Sequence, residues 1–280
     1  MVLSRLRKLR IENTAALRAA GNRKGEHTML REVTGLHGVV LHAHDGQIGK
    51  VEDLLFDDEQ WTVRYLVVNT GIWLFGRKVL IAPVALGLLE WDRHVLNVNL
   101  TRDQVERSPG VNTDEPVSRQ WEQEYYDYHA FPYYWGGMGV NSNPWYPSAL
   151  LNATAPEVDP EDVSRADPDL RSTKEVTGYG IVAPNGILGH VEDFLLDDET
   201  WNIRYLAVDT RDFWPGKKVL LPPNWIEAVN WPDRTMTVDV TRSQVEGSPV
   251  WEPHAKISAA VEGELSRYYA QRQRQVVSGI

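Results

Sequence analysis

The stretch VEDLLFDDEQWTVRYLVV at Val51–Val68 returns as VEDFLLDDETWNIRYLAV at Val191–Val208. An offset of 140 aligns Val51–Pro109 with Val191–Pro249 without a gap, and 27 of the 59 positions are identical. Self-similarity on this scale means an internal duplication, so the chain must fold as two related units. The tetrapeptide EVTG also occurs twice, at Glu32–Gly35 and Glu175–Gly178, but at an offset of 143. The sequence therefore predicts a three-residue length difference in the loop holding His42 and His44, as expected of a surface hairpin tip.

Within each copy the pattern is one of short strands. Residues 36–42 alternate weakly, 48–56 form a strand, Asp57–Gln60 a turn, and Trp61–Asn69 a second strand rich in β-branched and aromatic residues. Lys78–Ile81 is a further strand, stopped near Pro83, and Val95–Leu100 another. The motif T-R-x-Q-V-E-x-S-P closes both copies and predicts a short helical turn ended by proline. Many short strands with regular turns predict a mainly β protein of two small antiparallel barrels. A helix is expected after each, over Val117–His129 and Ala255–Val277.

The division that follows has four parts. Residues 1–28 form a basic arm, predicted to be disordered, with seven Lys/Arg against two Glu. Residues 29–128 form barrel one with its helix, 129–172 a Pro/Gly/aromatic linker, and 173–280 barrel two with its helix. The whole chain carries a net charge of −10, which argues against a nucleic-acid partner. Without cysteine there are no disulfides and no thiol chemistry. The longest uncharged apolar run, Val79–Leu89, is too short to span a bilayer, and no secretory signal is evident. A cytoplasmic protein is expected, and residues 1–28, with Leu3, Leu6 and Leu9 close to one helical face, offer a peripheral membrane contact as the alternative to disorder.

The repeated pattern G-x-[VI]-x-D-[LF]-[LF]-[LF]-D-x-x-x-W-x-[VI]-R-Y-L-[VA]-V, followed by G-[RK]-K-V-L-[IL]-x-P, resembles the PRC-barrel family. The resemblance covers roughly 29–110 and 173–250. It implies a small, strongly bent β-barrel in each copy. It also implies action by binding macromolecules rather than by catalysis, as in the cytoplasmic domain of the photosynthetic reaction-centre H subunit. This chain departs from that subunit in having two barrels and no N-terminal membrane helix.

Four groups of candidate residues follow from the sequence. A turn pairing Phe56 with Trp61 places Asp53 opposite Arg64, and the same register places Asp193 opposite Arg204. These are read as structural cross-strand pairs. The acidic tips Asp57-Asp58-Glu59 and Asp197-Asp198-Glu199 are read as turn chemistry rather than metal ligands. His37, His42 and His44 with Asp45 form a metal-like cluster and the basis of an alternative reading as a metal-dependent enzyme. Tyr133, Tyr134, Trp135, Trp145 and Tyr146 form an aromatic stretch that either packs back on a barrel or serves as a contact site. No nucleotide-binding or nucleophile motif is present, so no cofactor, metal or catalytic residue is assigned. The function expected is a non-enzymatic scaffold that docks on an unknown protein or on the cytoplasmic face of a membrane assembly. A reaction-centre H-subunit-like accessory is the remaining alternative.

Overall fold

The computed structural model describes residues 30–111, 116–135, 170–210 and 217–254, with further positions between 261 and 268. The basic arm, most of the linker with Trp145 and Tyr146, and much of the last helix lie outside the described residues. Copy one contains β1 (Leu30–Glu32), β2 (Val40–Ala43), β3 (Gly46–Asp57), β4 (Thr62–Asn69), β5 (Lys78–Ile81), β6 (Leu86–Glu90) and β7 (Val95–Val98). Copy two contains β8 (Leu170–Ser172), β9 (Gly180–Ala183), β10 (Gly186–Asp197), β11 (Ile203–Asp209), β12 (Lys218–Leu221), β13 (Ile226–Asn230) and β14 (Thr235–Val238). The fold is mainly β, as the sequence predicts.

Each copy builds a sheet in the same order, β5-β4-β3-β2-β7-β6 and β12-β11-β10-β9-β14-β13. Within each, the central pairs β2–β7 and β9–β14 are parallel and the rest antiparallel. The long strands β3 and β10 pair with one neighbour along their first half and another along their second. The change of partner occurs around Gly49 and Gly189. A Cβ there would lie 2.2 Å from the Asn69 carbonyl oxygen and 2.0 Å from that of Asp209. Only glycine permits that approach.

The seventh strand of each sheet comes from the other copy. β1 pairs with β10, placing Leu30 opposite Asp197, and β8 pairs with β3, placing Leu170 opposite Asp57. Leu170–Ser172, assigned from sequence to the linker, is thus an ordered strand. The units expected to begin at residues 29 and 173 are stitched together by their leading segments.

The expected length difference is absent. Leu30 and Leu170 occupy equivalent places, and the β2–β3 and β9–β10 hairpins close at Ala43/Gly46 and Ala183/Gly186. Gly38 and Gly178 each donate their N–H across 2.8 Å, to Val51 and Val191. The offset is therefore 140 from residue 30 onward, and the two EVTG tetrapeptides occupy different places.

The expected cross-strand register is also corrected. β3 and β4 close at Asp57/Thr62, and a bulge lies between Leu55/Tyr65 and Phe56/Val63, which leaves Arg64 as the extra residue. Asp53 lies opposite Val67 and Asp193 opposite Ala207, not opposite Arg64 and Arg204.

β4 is buried on both faces, which accounts for its continuous apolar run. Val63, Leu66 and Val68 belong to the core shared by the two copies. Tyr65 and Val67 face a second cluster with Tyr125 and Tyr126 of the helix Arg119–His129. Ser118 caps that helix by accepting from the Trp121 N–H, and Ala130 in the left-handed region ends it. The T-R-x-Q motifs form the short helices Arg102–Glu106 and Arg242–Glu246. Both start on a reciprocal capping box between the Thr and Gln of the motif. The C-terminal segment is helical where described, with Leu265 buried in the shared core. No described helix is long and apolar enough to cross a membrane.

Candidate functional site

The duplicated hairpins meet tip to tip. The Val63 N–H donates to the Trp201 carbonyl at 2.9 Å and the Ile203 N–H to that of Trp61 at 2.7 Å. The Thr62 hydroxyl donates to the Asn202 side chain at 2.6 Å. Trp61 and Trp201 both adopt positive φ, 54° and 60°, to turn the chain here. Beneath the tips the rings of Phe56 and Phe194 lie 5.8 Å apart.

The acidic residues that the copies share hold this junction. Asp53 accepts from the Ser172 and Thr173 hydroxyls at 2.5 and 2.8 Å and from the Lys174 N–H at 3.2 Å. Reciprocally, Asp193 accepts from the Thr34 hydroxyl and N–H at 2.5 and 3.2 Å. Each carboxylate therefore anchors the leading segment of the opposite copy. Burial pushes the Asp193 carboxyl upward, against the lowering effect of hydrogen bonds from Thr34 and Phe194.

The hairpin acids have similar structural tasks. Asp57 accepts from the N–H groups of Glu59 and Gln60, and Asp197 from those of Glu199 and Thr200, the turn chemistry the sequence implies. Asp58 pairs with Arg171 and Asp198 with Arg31, each at 3.0 Å. Those arginines sit on the exchanged strands and stack 3.9 Å over Trp231 and 4.3 Å over Trp91. Sequence reasoning missed Ser172, Thr173, Thr34 and both arginines. The signal was the dipeptide Leu-Arg at 30–31 and 170–171, repeated at the 140 offset.

Arg64 is buried and donates to Asp57 at 2.9 Å and to Gln60 at 2.7 Å. Its guanidinium lies 4.0 Å from the centre of the Tyr134 ring. Beside it Glu122, fully buried, accepts from the hydroxyls of Tyr65 and Tyr134 at 2.8 and 2.7 Å and from Arg119 at 2.5 Å. Trp135 stacks on Tyr133 at 4.8 Å and lies 4.5 Å from the Arg119 guanidinium. Tyr133, Tyr134 and Trp135 thus pack back on copy one, the first of the two expected roles. Burial, then the Glu122 charge, holds the Tyr65 hydroxyl protonated, and burial lowers His129 to about 4.

The histidines do not converge. His42 and His44 are exposed on and beyond β2, while His37 lies in the preceding loop, where burial and then Lys174 lower its pKa. Asp45 accepts from the Arg102 N–H at 2.7 Å, as Asn185 does from Arg242 at 3.0 Å. That shared role explains Asp45 structurally, and no group fit to hold a metal exists among the described residues.

One feature faces outward. Between β4 and β5 the loop Gly71–Gly76 presents Ile72 and Phe75, 96% and 99% exposed, while Trp73 and Leu74 turn back onto the core. Lys50, Arg102 and Lys174 line the adjoining cleft, of about 690 Å³, together with Ile72 and Trp73. Sequence reasoning did not single out this loop, although Ile-Trp-Leu-Phe between two glycines was the available signal.

The family model for the PRC-barrel domain matches residues 39–106 and 171–245, one segment in each copy. No curated protein matches the chain.

Proposed function

The chain belongs to the PRC-barrel family, and on that premise we propose that it is a non-enzymatic docking scaffold, acting at a partner protein or at the face of a membrane assembly. The observation that carries this reading is the use made of the shared polar residues. Asp53, Asp58, Asp193 and Asp198 are engaged in joining one copy to the other, which builds a double module. The Ile72/Phe75 tip, by contrast, makes large apolar side chains available for contact.

The test is site-specific photo-cross-linking in the native cell. A cross-linker replacing Phe75 is expected to give discrete adducts, and one replacing the exposed Asp233 on the far copy is not. Adduct patterns identical at the two positions would contradict the reading.

A further inference from the structure

We propose that the Gly71–Gly76 loop is an anionic-bilayer contact, with Ile72 and Phe75 entering the interface and Lys50, Arg102 and Lys174 meeting the headgroups. The inference rests on the docking reading above and gives that reading a surface and a chemistry.

The loop is preformed. The Gly76 N–H donates to Gly71 at 2.6 Å, the Phe75 N–H to Ile72 at 3.3 Å and the Arg77 N–H to Leu74 at 2.9 Å. The Thr70 hydroxyl closes its base on the Arg77 carbonyl at 2.6 Å. Gly71, Phe75 and Gly76 all have positive φ, which turns the chain tightly enough to send residues 72 and 75 outward while 73 and 74 fold inward. Little ordering entropy remains to oppose insertion. Ile72 and Phe75 touch almost nothing of their own protein.

The surroundings select the occupant. Arg102 lies 4.4 Å under Trp73, its charge held at the foot of the loop. Lys50 and Lys174 are exposed beside it. Glu52, the carboxylate in the same cleft, is paired with Lys78 at 3.0 Å. A protruding apolar tip above a cationic collar complements an anionic bilayer, which deforms around convex side chains and attracts basic groups near its surface. A protein partner would need a matching concave pocket. Outside its basic arm the chain is acidic, so the collar also orients it on an anionic surface.

The test is flotation of the full chain with vesicles of phosphatidylglycerol and phosphatidylcholine at low salt, against vesicles of phosphatidylcholine alone. Binding is expected to the anionic vesicles and to fall at least tenfold in Ile72→Ser/Phe75→Ser and in Lys50→Glu/Lys174→Glu. Leu88→Ser removes an exposed apolar side chain elsewhere and is expected to bind as the wild type does. Unchanged thermal melts establish that the variants are folded. Two results would overturn the inference: no binding by wild type, or full binding by the Ile72→Ser/Phe75→Ser variant that is lost only on deleting residues 1–28. If vesicles fail while the Phe75 cross-linker captures a protein, the bilayer contact is wrong and the docking reading stands.

Discussion

The two copies keep the same arginine on the same bulge and use it differently. Arg64 is clamped in copy one by Asp57, Gln60 and the Tyr134 ring, whereas Arg204 in copy two is exposed. The turn acid is shared, but Thr200 stands where copy one has Gln60, and the Tyr133–Trp135 segment follows copy one alone. Asp53 and Asp193 behave in the opposite way, doing the same task in both copies. Identity between copies therefore marks two classes of residue. Some join the copies, and others acquire their role from a neighbouring segment that only one copy has.

The largest effect is expected at Glu122, beneath the Tyr133–Trp135 segment that only copy one has. Glu122→Ala removes a fully buried acceptor and strands Arg119 and the Tyr65 hydroxyl, at a cost of about 3–4 kcal/mol. Denaturant unfolding measures the loss. Restoration by Glu122→Gln to within about 1 kcal/mol would mean that the carboxylate charge has little role.

The arginines sharpen the contrast directly. Arg64→Ala is expected to cost about 2–3 kcal/mol, since the Asp57 carboxylate loses a buried partner. Arg204→Ala, at an exposed position, is expected to cost less than Arg64→Ala by at least about 1 kcal/mol. Equal losses in chemical denaturation would break the comparison.

Next is the junction. Asp53→Ala is expected to cost about 1–2 kcal/mol and to couple to Thr173→Ala in a double-mutant cycle, because those groups touch across the copies. Combined with Arg64→Ala, the same change is expected to add within about 0.5 kcal/mol, since Asp53 and Arg64 share no bond. A strong Asp53–Arg64 coupling would restore the register read from sequence.

The smallest expected effect depends on pH. Burial lowers His129 to about 4, so in the native state its ring stays uncharged below the ordinary value of 6.5. The unfolded chain takes up the proton first as pH falls. The stabilisation is therefore complete above about pH 6.5 and lost towards pH 4, by about 1 kcal/mol once partial exposure is allowed for. His129→Gln should flatten that slope in stability measured from pH 7 to 4, and an unchanged slope would assign it to other groups.

Much of each sheet was legible in the sequence. The β3–β4 hairpin follows from β-branched and aromatic runs around an Asp-led turn, and the short closing helices from the T-R-x-Q-V-E-x-S-P motif. The exchange was not legible, because Leu30–Glu32 and Leu170–Ser172 are too short to show a period and their partners lie far along the chain. Register failed at Arg64, a bulge formed without glycine. β6 escaped notice because Leu86–Glu90, with no fully buried residue, does not alternate. Of the candidate site, the packing of Tyr134 and Trp135 was foreseen as one of two roles. The apolar loop was not, since one-dimensional reading does not separate Ile72 and Phe75 from the inward-turned Trp73 and Leu74.

Native-state hydrogen exchange of the wild type and of Asp53→Ala tests most directly whether the exchanged strands make the copies one cooperative unit. Protection is expected to fall by the same factor, about tenfold for each 1.4 kcal/mol lost, at slow amides of β4 and of β11 alike. A fall confined to one copy, with the other retaining wild-type protection, would contradict it.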